Sequence, residues 1–242
     1  MKPLFDTDTF REILDSILRN RSRSLLTGFG VFWGVFMLML LTGGGQGLKD
    51  LLVQNFEGFA QNTCIVATST TTKPYKGFKK GRTWNLEYSD VDRLKAMVPE
   101  LETVSPTVSL WGKSVTRDEN TSSRAVVKGV RAEHNRIETP SLKYGRWLND
   151  ADNLQERKVC VIGKRVYEEL FPEGGNPTGK RISIDGSYYT VIGVDWKDSN
   201  GIAINGRPSD AVYIPINQAR RAYNLGNTIH LLCFTAKEGI TM

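Results

Sequence analysis

Metal binding and nucleophilic catalysis fall first to histidines and cysteines, and this chain has few: His134, His230, Cys64, Cys160 and Cys233. Neither histidine has a second His, a Cys or a carboxylate at a usual metal-ligand spacing. The three cysteines are widely separated, lie in apolar runs and form no C-x-x-C pair. They read as buried free thiols, not as a disulfide framework. No G-x-S-x-G, S-x-x-K or H-E-x-x-H occurs. Asp150, Asp152, Glu156, Glu168 and Glu169 are scattered as on a solvated face. Two carboxylates meeting in space could still do glycosidase-like work, which sequence alone does not show. Gly43, Gly44, Gly45 and Gly47 lack the G-x-x-x-x-G-K-[ST] spacing of a phosphate loop, and no strand precedes them. The expectation is a chain with no catalytic residue, no metal site and no cofactor of its own.

The net charge of +6 comes without an Arg-rich helix, zinc-finger spacing or RNA-binding signature, so nucleic acid is not an expected partner. The positive charge is local. Lys73, Lys76, Lys79, Lys80 and Arg82 fall in one loop, with no acid from Thr68 to Leu86. Tyr75, Phe78 and Trp84 are interleaved with them. Such a loop suits an acidic partner surface or anionic headgroups, and a solvated mobile loop is the plainer alternative.

The elements that must carry these residues divide at one stretch. Ser24 to Leu48 contains no Lys, Arg, Asp, Glu or His. A helix needs roughly 20 apolar residues to cross a bilayer core, and this stretch has no polar stripe with which to sit on a soluble core. A membrane-spanning helix over residues 24–48 is expected. Gly30 and Gly34 form a G-x-x-x-G pair, a spacing that lets a second helix approach closely. Before the span, Phe10, Ile13, Leu14, Ile17 and Leu18 share one helical face. That amphipathic helix, within residues 1–23, is expected to lie in the headgroup plane. Arg11, Arg19, Arg21 and Arg23 precede the span, and Lys49 is the first basic residue after it. The positive-inside rule then puts the amino terminus in the cytoplasm and the large remainder outside. A cleaved signal peptide competes with this reading, but its charged region should be shorter and less acidic. Leu48, Leu51, Leu52, Phe56 and Phe59 keep helical spacing, so the span should continue as a stalk through residues 49–62, its helix ending near Gly58.

Residues 63–242 read as one extracytoplasmic α+β domain of mixed α/β character, two-lobed, without repeats. Cys64–Ala67, Val104–Val115, Arg124–Val130, Lys158–Ile162, Arg181–Ile184, Tyr188–Val194, Ala211–Ile214 and Thr228–Phe234 are expected strands. Helices are expected after Ser89 as N-cap, near Arg131–Glu138, over Lys164–Leu170 and around Asn217–Tyr223. Asp185-Gly186 between apolar runs is a strong hairpin signal.

The ordered set LKYGRWLNDADN (Leu142–Asn153), KVCVIGKRVYEELF (Lys158–Phe171), GKRISIDGSYYTVIGV (Gly179–Val194) and AVYIPINQA (Ala211–Ala219), behind one span with G-x-x-x-G, resembles the MacB/FtsX-type ABC transporter permease family with its MacB-like periplasmic core domain. The motif residues are glycines at turns and apolar strand positions, so the signature marks a fold and not an active site. The resemblance implies a bacterial inner-membrane permease whose ATP is bound by a separate cytoplasmic ABC ATPase subunit. It also implies a second permease copy, a periplasmic adaptor in some members, and contact with membrane lipid. The family permease has four spans, and only one is present here, so the resemblance implies an amino-terminal portion of such a permease. The alternative is a single-pass membrane-anchored periplasmic binding or sensor module without transport activity.

Overall fold

A computed structural model of the chain describes residues 21–55, 59–60, 62–198, 203–237 and 239. The amphipathic helix expected over Phe10, Ile13, Leu14, Ile17 and Leu18, with Arg11 and Arg19, lies outside the described residues. The chain divides into two compact units, Met1–Gln54 and Asn55–Met242, described separately below.

The first unit is built on helix α1, Arg21–Asn55. Within it, Arg21–Leu52 is long and apolar enough to cross a membrane. Its hydroxyls bond inside the helix: Thr27 Oγ1 donates to Arg23 O at 2.9 Å and Thr42 Oγ1 to Leu38 O at 2.8 Å. These two hydroxyls are thereby satisfied within the helix, as a span through hydrocarbon requires. Phe29, Phe32, Trp33 and Phe36 stack along one side at centroid separations near 6 Å. The helix runs unbroken through Gly43–Gly47 and past Leu48. Gly58, where the stalk was expected to end, is outside the described residues.

The second unit is an eleven-stranded sheet with helices on it. In chain order its strands are β1 (Thr63–Ala67), β2 (Leu86–Glu87), β3 (Leu101–Leu110), β4 (Val115–Arg117), β5 (Asn120–Ser122), β6 (Val126–Val130), β7 (Leu142–Gly145), β8 (Val159–Gly163), β9 (Arg181–Ile184), β10 (Ser187–Asp195), β11 (Ala211–Pro215), β12 (Thr228–Ile229) and β13 (Leu231–Ala236). The helices are α2 (Asp90–Met97), α3 (Asp150–Leu154), α4 (Lys164–Leu170) and α5 (Ile216–Ala222), with a 3-10 turn at Ala132–Arg136. The main sheet runs β1-β13-β3-β6-β11-β8-β10-β9-β4-β5, with β7 on β10; β12 and β2 form a separate pair. β3 joins the two halves: Leu101–Thr107 pairs with β13 and Val108–Leu110 with β6. The largest core lies between sheet and helices and includes Val104, Val108, Ile162, Val166, Leu170, Tyr189, Val194, Ile214 and Ile216.

Several local signals translate directly. Asp185 and Gly186 both take positive φ, 48° and 80°, joining β9 to β10 in the mirror-image turn that right-twisted strands favour. Helix α4 occupies Lys164–Leu170 as expected. Its N-cap, Gly163, needs glycine for space and not for φ: an added Cβ would stand 2.5 Å from the carbonyl oxygens of Pro208 and Ser209. Gly145 needs it for both reasons, with φ +69° and an added Cβ 2.0 Å from Ile192 O. Gly145→Ala is therefore expected to destabilise the sheet unit by ~1–3 kcal/mol, read as a lower denaturation midpoint.

Other signals resolve differently. The run Val104–Val115 is not one strand: Gly112, at φ +67°, breaks it, and Val115 belongs to β4 at the other end of the sheet. Ser89 does not cap α2 with its side chain; its own backbone is helical and its hydroxyl donates to Glu87 Oε2. Asp90 instead accepts from the Glu87 N–H at 2.8 Å. The run Thr228–Phe234 divides into β12 and β13, which lie in different sheets.

Candidate functional site

The residues suited to catalysis are placed as structure. The three cysteines are free, with Cys160 and Cys233 buried. Burial pushes the Cys160 thiol far up and the Cys233 thiol up to about 12, so neither is a ready thiolate. Among the described residues no group of three metal-capable side chains exists. His230 Nδ1 sits against the Ser109 backbone, 3.1 Å from its N.

His134, by contrast, belongs to a buried ionic cluster. Lys128 on β6 and Tyr213 on β11 are register partners in a parallel ladder, so their side chains emerge on the same face. Both are buried. Glu138, just after the 3-10 turn, reaches between them. Its Oε2 accepts from Tyr213 Oη at 3.1 Å and lies 3.7 Å from Lys128 Nζ and 3.6 Å from His134 Nε2. Its Oε1 accepts from the Ile204 backbone N–H. Ser105 Oγ on β3 meets His134 Nδ1 at 3.2 Å. Burial alone would raise the Glu138 carboxyl, but Lys128, His134 and the Ile204 N–H outweigh it and hold it at about 2. Burial lowers Lys128 against the raising pull of Glu138. Burial first, and then the Glu138 charge, push the Tyr213 phenol well above its usual value. The cluster thus ties β3, β6, β11 and the Ala132–Arg136 turn together at the seam between the two halves of the sheet.

The polypeptide arriving from α1 enters this unit at the same place. Phe59 pairs as an isolated bridge with Glu138, and the Ala60 N–H donates to Ile137 O at 2.9 Å. Phe59 also packs against Ile137, Ile204, Leu231 and Cys233. Only residues 56–58 separate the end of α1 from this contact.

A second charged cluster lies within the motif Leu142–Asn153. Asp152, expected on a solvated face, is fully buried. Its Oδ2 accepts from Arg146 Nη1 at 2.6 Å and from the Asn149 N–H at 3.1 Å, while Arg157 Nη1 reaches Oδ1 at 3.4 Å. Asn149 returns the bond to the Asp152 N–H, a complete capping box for α3. Burial opposes the charge of Asp152, and the Arg146 bond leads the contributions that keep its pKa low.

The basic loop is a hairpin. Thr70 bridges Thr83 and Tyr75 bridges Phe78. Lys76 and Gly77 form the tip with φ 45° and 84°. Tyr75 and Phe78 are 70% and 57% exposed, and Arg82 stacks 4.4 Å over the Phe78 ring. Lys73, Lys76, Lys79, Lys80 and Arg82 are therefore displayed on one exposed arm. On α1, a Cβ added at Gly30 or Gly34 meets nothing within 4 Å. Arg21 and Arg23 sit in its first turn.

Sequence reasoning missed Lys128, Glu138, Tyr213 and the burial of Asp152. A signal existed for the first: Lys128 interrupts the apolar strand Val126–Val130, where a lysine demands a buried counter-charge.

The family model of the MacB-like periplasmic core domain matches residues 24–242. A macrolide export ATP-binding/permease protein MacB of Neisseria gonorrhoeae is 25% identical over 193 residues, covering 80% of this chain and 29% of the relative. One from Aggregatibacter actinomycetemcomitans is 27% identical over 190 residues, covering 77% and 28%. The chain thus spans less than a third of the length of the curated relatives it matches. The crystal structure of the periplasmic region of MacB from Actinobacillus actinomycetemcomitans superposes with a TM-score of 0.61 at 21% identity, covering 79% of this chain and 82% of that one. The extracellular domain of the noncanonic ABC-type transporter YknZ from Gram-positive bacteria superposes with a TM-score of 0.59 at 17% identity, covering 73% and 85%. These likenesses show the fold. With the family match running from the apolar helix through the whole sheet, the chain belongs to the MacB-like periplasmic core domain family.

Proposed function

We propose that this chain is the non-catalytic extracytoplasmic part of an ABC transporter permease, anchored by α1 and moved by a separate cytoplasmic ATPase subunit that binds the ATP. The observation that carries the reading is the union of span and domain in one family match over residues 24–242. The relatives' names, ATP-binding/permease proteins for macrolide export, support a transporter component. In this reading Arg21 and Arg23 mark the cytoplasmic end of α1 in a bacterial inner membrane, with the sheet unit on the periplasmic side. Motion of α1 reaches the sheet where Phe59 and Ala60 clip onto Ile137 and Glu138. The Lys128–Glu138–His134–Tyr213 cluster makes that receiving point stiff, since buried ionic groups hold one arrangement and resist sliding. The basic hairpin, Lys73 to Arg82, is the arm that would meet an acidic surface of a periplasmic adaptor.

Gly30 and Gly34 would form the face against a helix of a second permease copy. Gly30→Leu with Gly34→Leu is expected to weaken self-association in the membrane while leaving the sheet unit folded. A reporter of helix association in membranes, paired with circular dichroism, checks both halves. The broader reading is tested by purifying the chain from its own membranes. Recovery of an ABC ATPase with it is expected, and recovery of none contradicts the transport reading.

A further inference from the structure

A cleft of about 410 Å³ opens in the sheet unit where α5 passes over the starts of β8 and β10. Its volume is that of a small-ligand site. Glu156 borders it just past the end of α3, Lys158 just before β8, and Ser187 at the first position of β10. Gln218 and Arg221, three residues apart, line it from one face of α5.

The floor has polar groups to spare. Gln218 is 6% exposed, and Tyr189, on the same face of β10 as Ser187, is fully buried. The Tyr189 hydroxyl has no hydrogen-bond partner among the described residues, although the Gln218 amide lies beside it. Buried polar groups are normally satisfied, and those that are not call for a partner from outside the chain.

The rim says which charge that partner carries. Arg221 Nη1 bonds to Glu156 Oε2, so the cleft already seats one carboxylate, its own. Glu156 stands at φ +49°, one position past the C-cap of α3, in a left-handed conformation that usually falls to glycine or asparagine. A glutamate there accepts backbone strain and gains a carboxylate at the mouth of the cleft. Lys158 is exposed and makes no ion pair among the described residues. Two cations thus face one internal anion, and one positive charge is unmatched.

We infer that this cleft binds a small soluble carboxylate, which takes the place of Glu156 on Arg221 and is also met by Lys158. Guanidinium groups suit planar carboxylates, and the lysine adds charge without a fixed geometry. Gln218 and Ser187 hydrogen-bond the remainder of the ligand. The inference stands apart from the transport reading and needs no ATPase.

Succinate is the probe, titrated at constant ionic strength into the full chain, nitrogen-15 labelled, in lipid nanodiscs. Saturable movement of the Ser187 and Gln218 resonances is expected. Arg221→Gln and Lys158→Gln should each weaken binding by about fivefold, the scale of a partly exposed charge pair. Both side chains project from exposed residues, and unchanged circular dichroism checks that the fold is kept. Glu156→Gln should tighten binding by a similar factor, because it removes the competing carboxylate. A merely structural Glu156–Arg221 pair would not give opposite effects at its two ends. No saturable movement overturns the proposal, as does binding that all three variants leave unchanged. An equal response to chloride or inorganic phosphate overturns it too, by reducing the cleft to an unselective basic surface.

Discussion

Replacing Glu138 by leucine is expected to unfold the sheet unit or bring it to the edge of unfolding. The side chain is 4% exposed and accepts from Tyr213 Oη and the Ile204 N–H while facing Lys128. Removing it leaves the fully buried Lys128 amine without its counter-charge, and its Nζ has no hydrogen-bond partner among the described residues. Breaking a buried pair from one side typically costs ~3–5 kcal/mol. Glu138→Gln keeps one acceptor oxygen, replaces the other by an NH2 donor and loses the charge, so it should cost less than leucine and still leave Lys128 uncompensated. The double variant Lys128→Met with Glu138→Gln is expected to recover a substantial part of that loss, because it removes the orphan charge. Denaturant unfolding of all three variants tests the ordering. The pH dependence follows from the same carboxylate. It is held at about 2 in the fold against an ordinary 4.5, so its contribution is complete above 4.5 and lost as the pH falls toward 2. Glu138→Gln should flatten the acid limb of the stability profile over that window, and a profile that keeps its slope would assign the limb to other carboxylates.

The second large effect is at Asp152. Asp152→Ala removes two arginine contacts and one half of the α3 capping box from a fully buried position. A lost cap costs about 1 kcal/mol and a hydrogen bond to a charged group ~1.5–3 kcal/mol. A total near 2–4 kcal/mol is expected, less the solvation regained by Arg146 and Arg157, which are 45% and 46% exposed. Asp152→Asn retains the oxygen that accepts from the Asn149 N–H and should lose about half as much. Thermal unfolding separates the two. Equal losses would mean that the charge contributes everything and the capping oxygen nothing.

Both residues show where sequence reading stops. Helix α4 and the Asp185-Gly186 turn were legible because their signals are local: periodicity between Lys164 and Leu170, and a dipeptide suited to positive φ. The strands β8, β10 and β11 were legible from their β-branched runs. Short β4 and β5 were not, since three residues each carry no periodicity and the pairing of β4 with β9, and of β5 with β4, is fixed by tertiary packing. The hairpin at Lys76-Gly77 read as a loop because its cations masked a turn signal. Asp152 looked solvated because acids usually are, and only the fold brings Arg146 and Arg157 to it. Glu138 meets Lys128 and Tyr213 across three chain segments, and nothing in local spacing announces that meeting.

The central claim is that motion in the membrane enters the external sheet at Phe59–Ala60 and Ile137–Glu138. Amide hydrogen exchange of these two segments, followed by mass spectrometry in native membranes with and without ATP on the cytoplasmic side, tests it most directly. A change in exchange at Ala60 and Ile137 that requires ATP turnover is the predicted result. Unchanged exchange at both segments, while the partner ATPase turns over, would contradict the account.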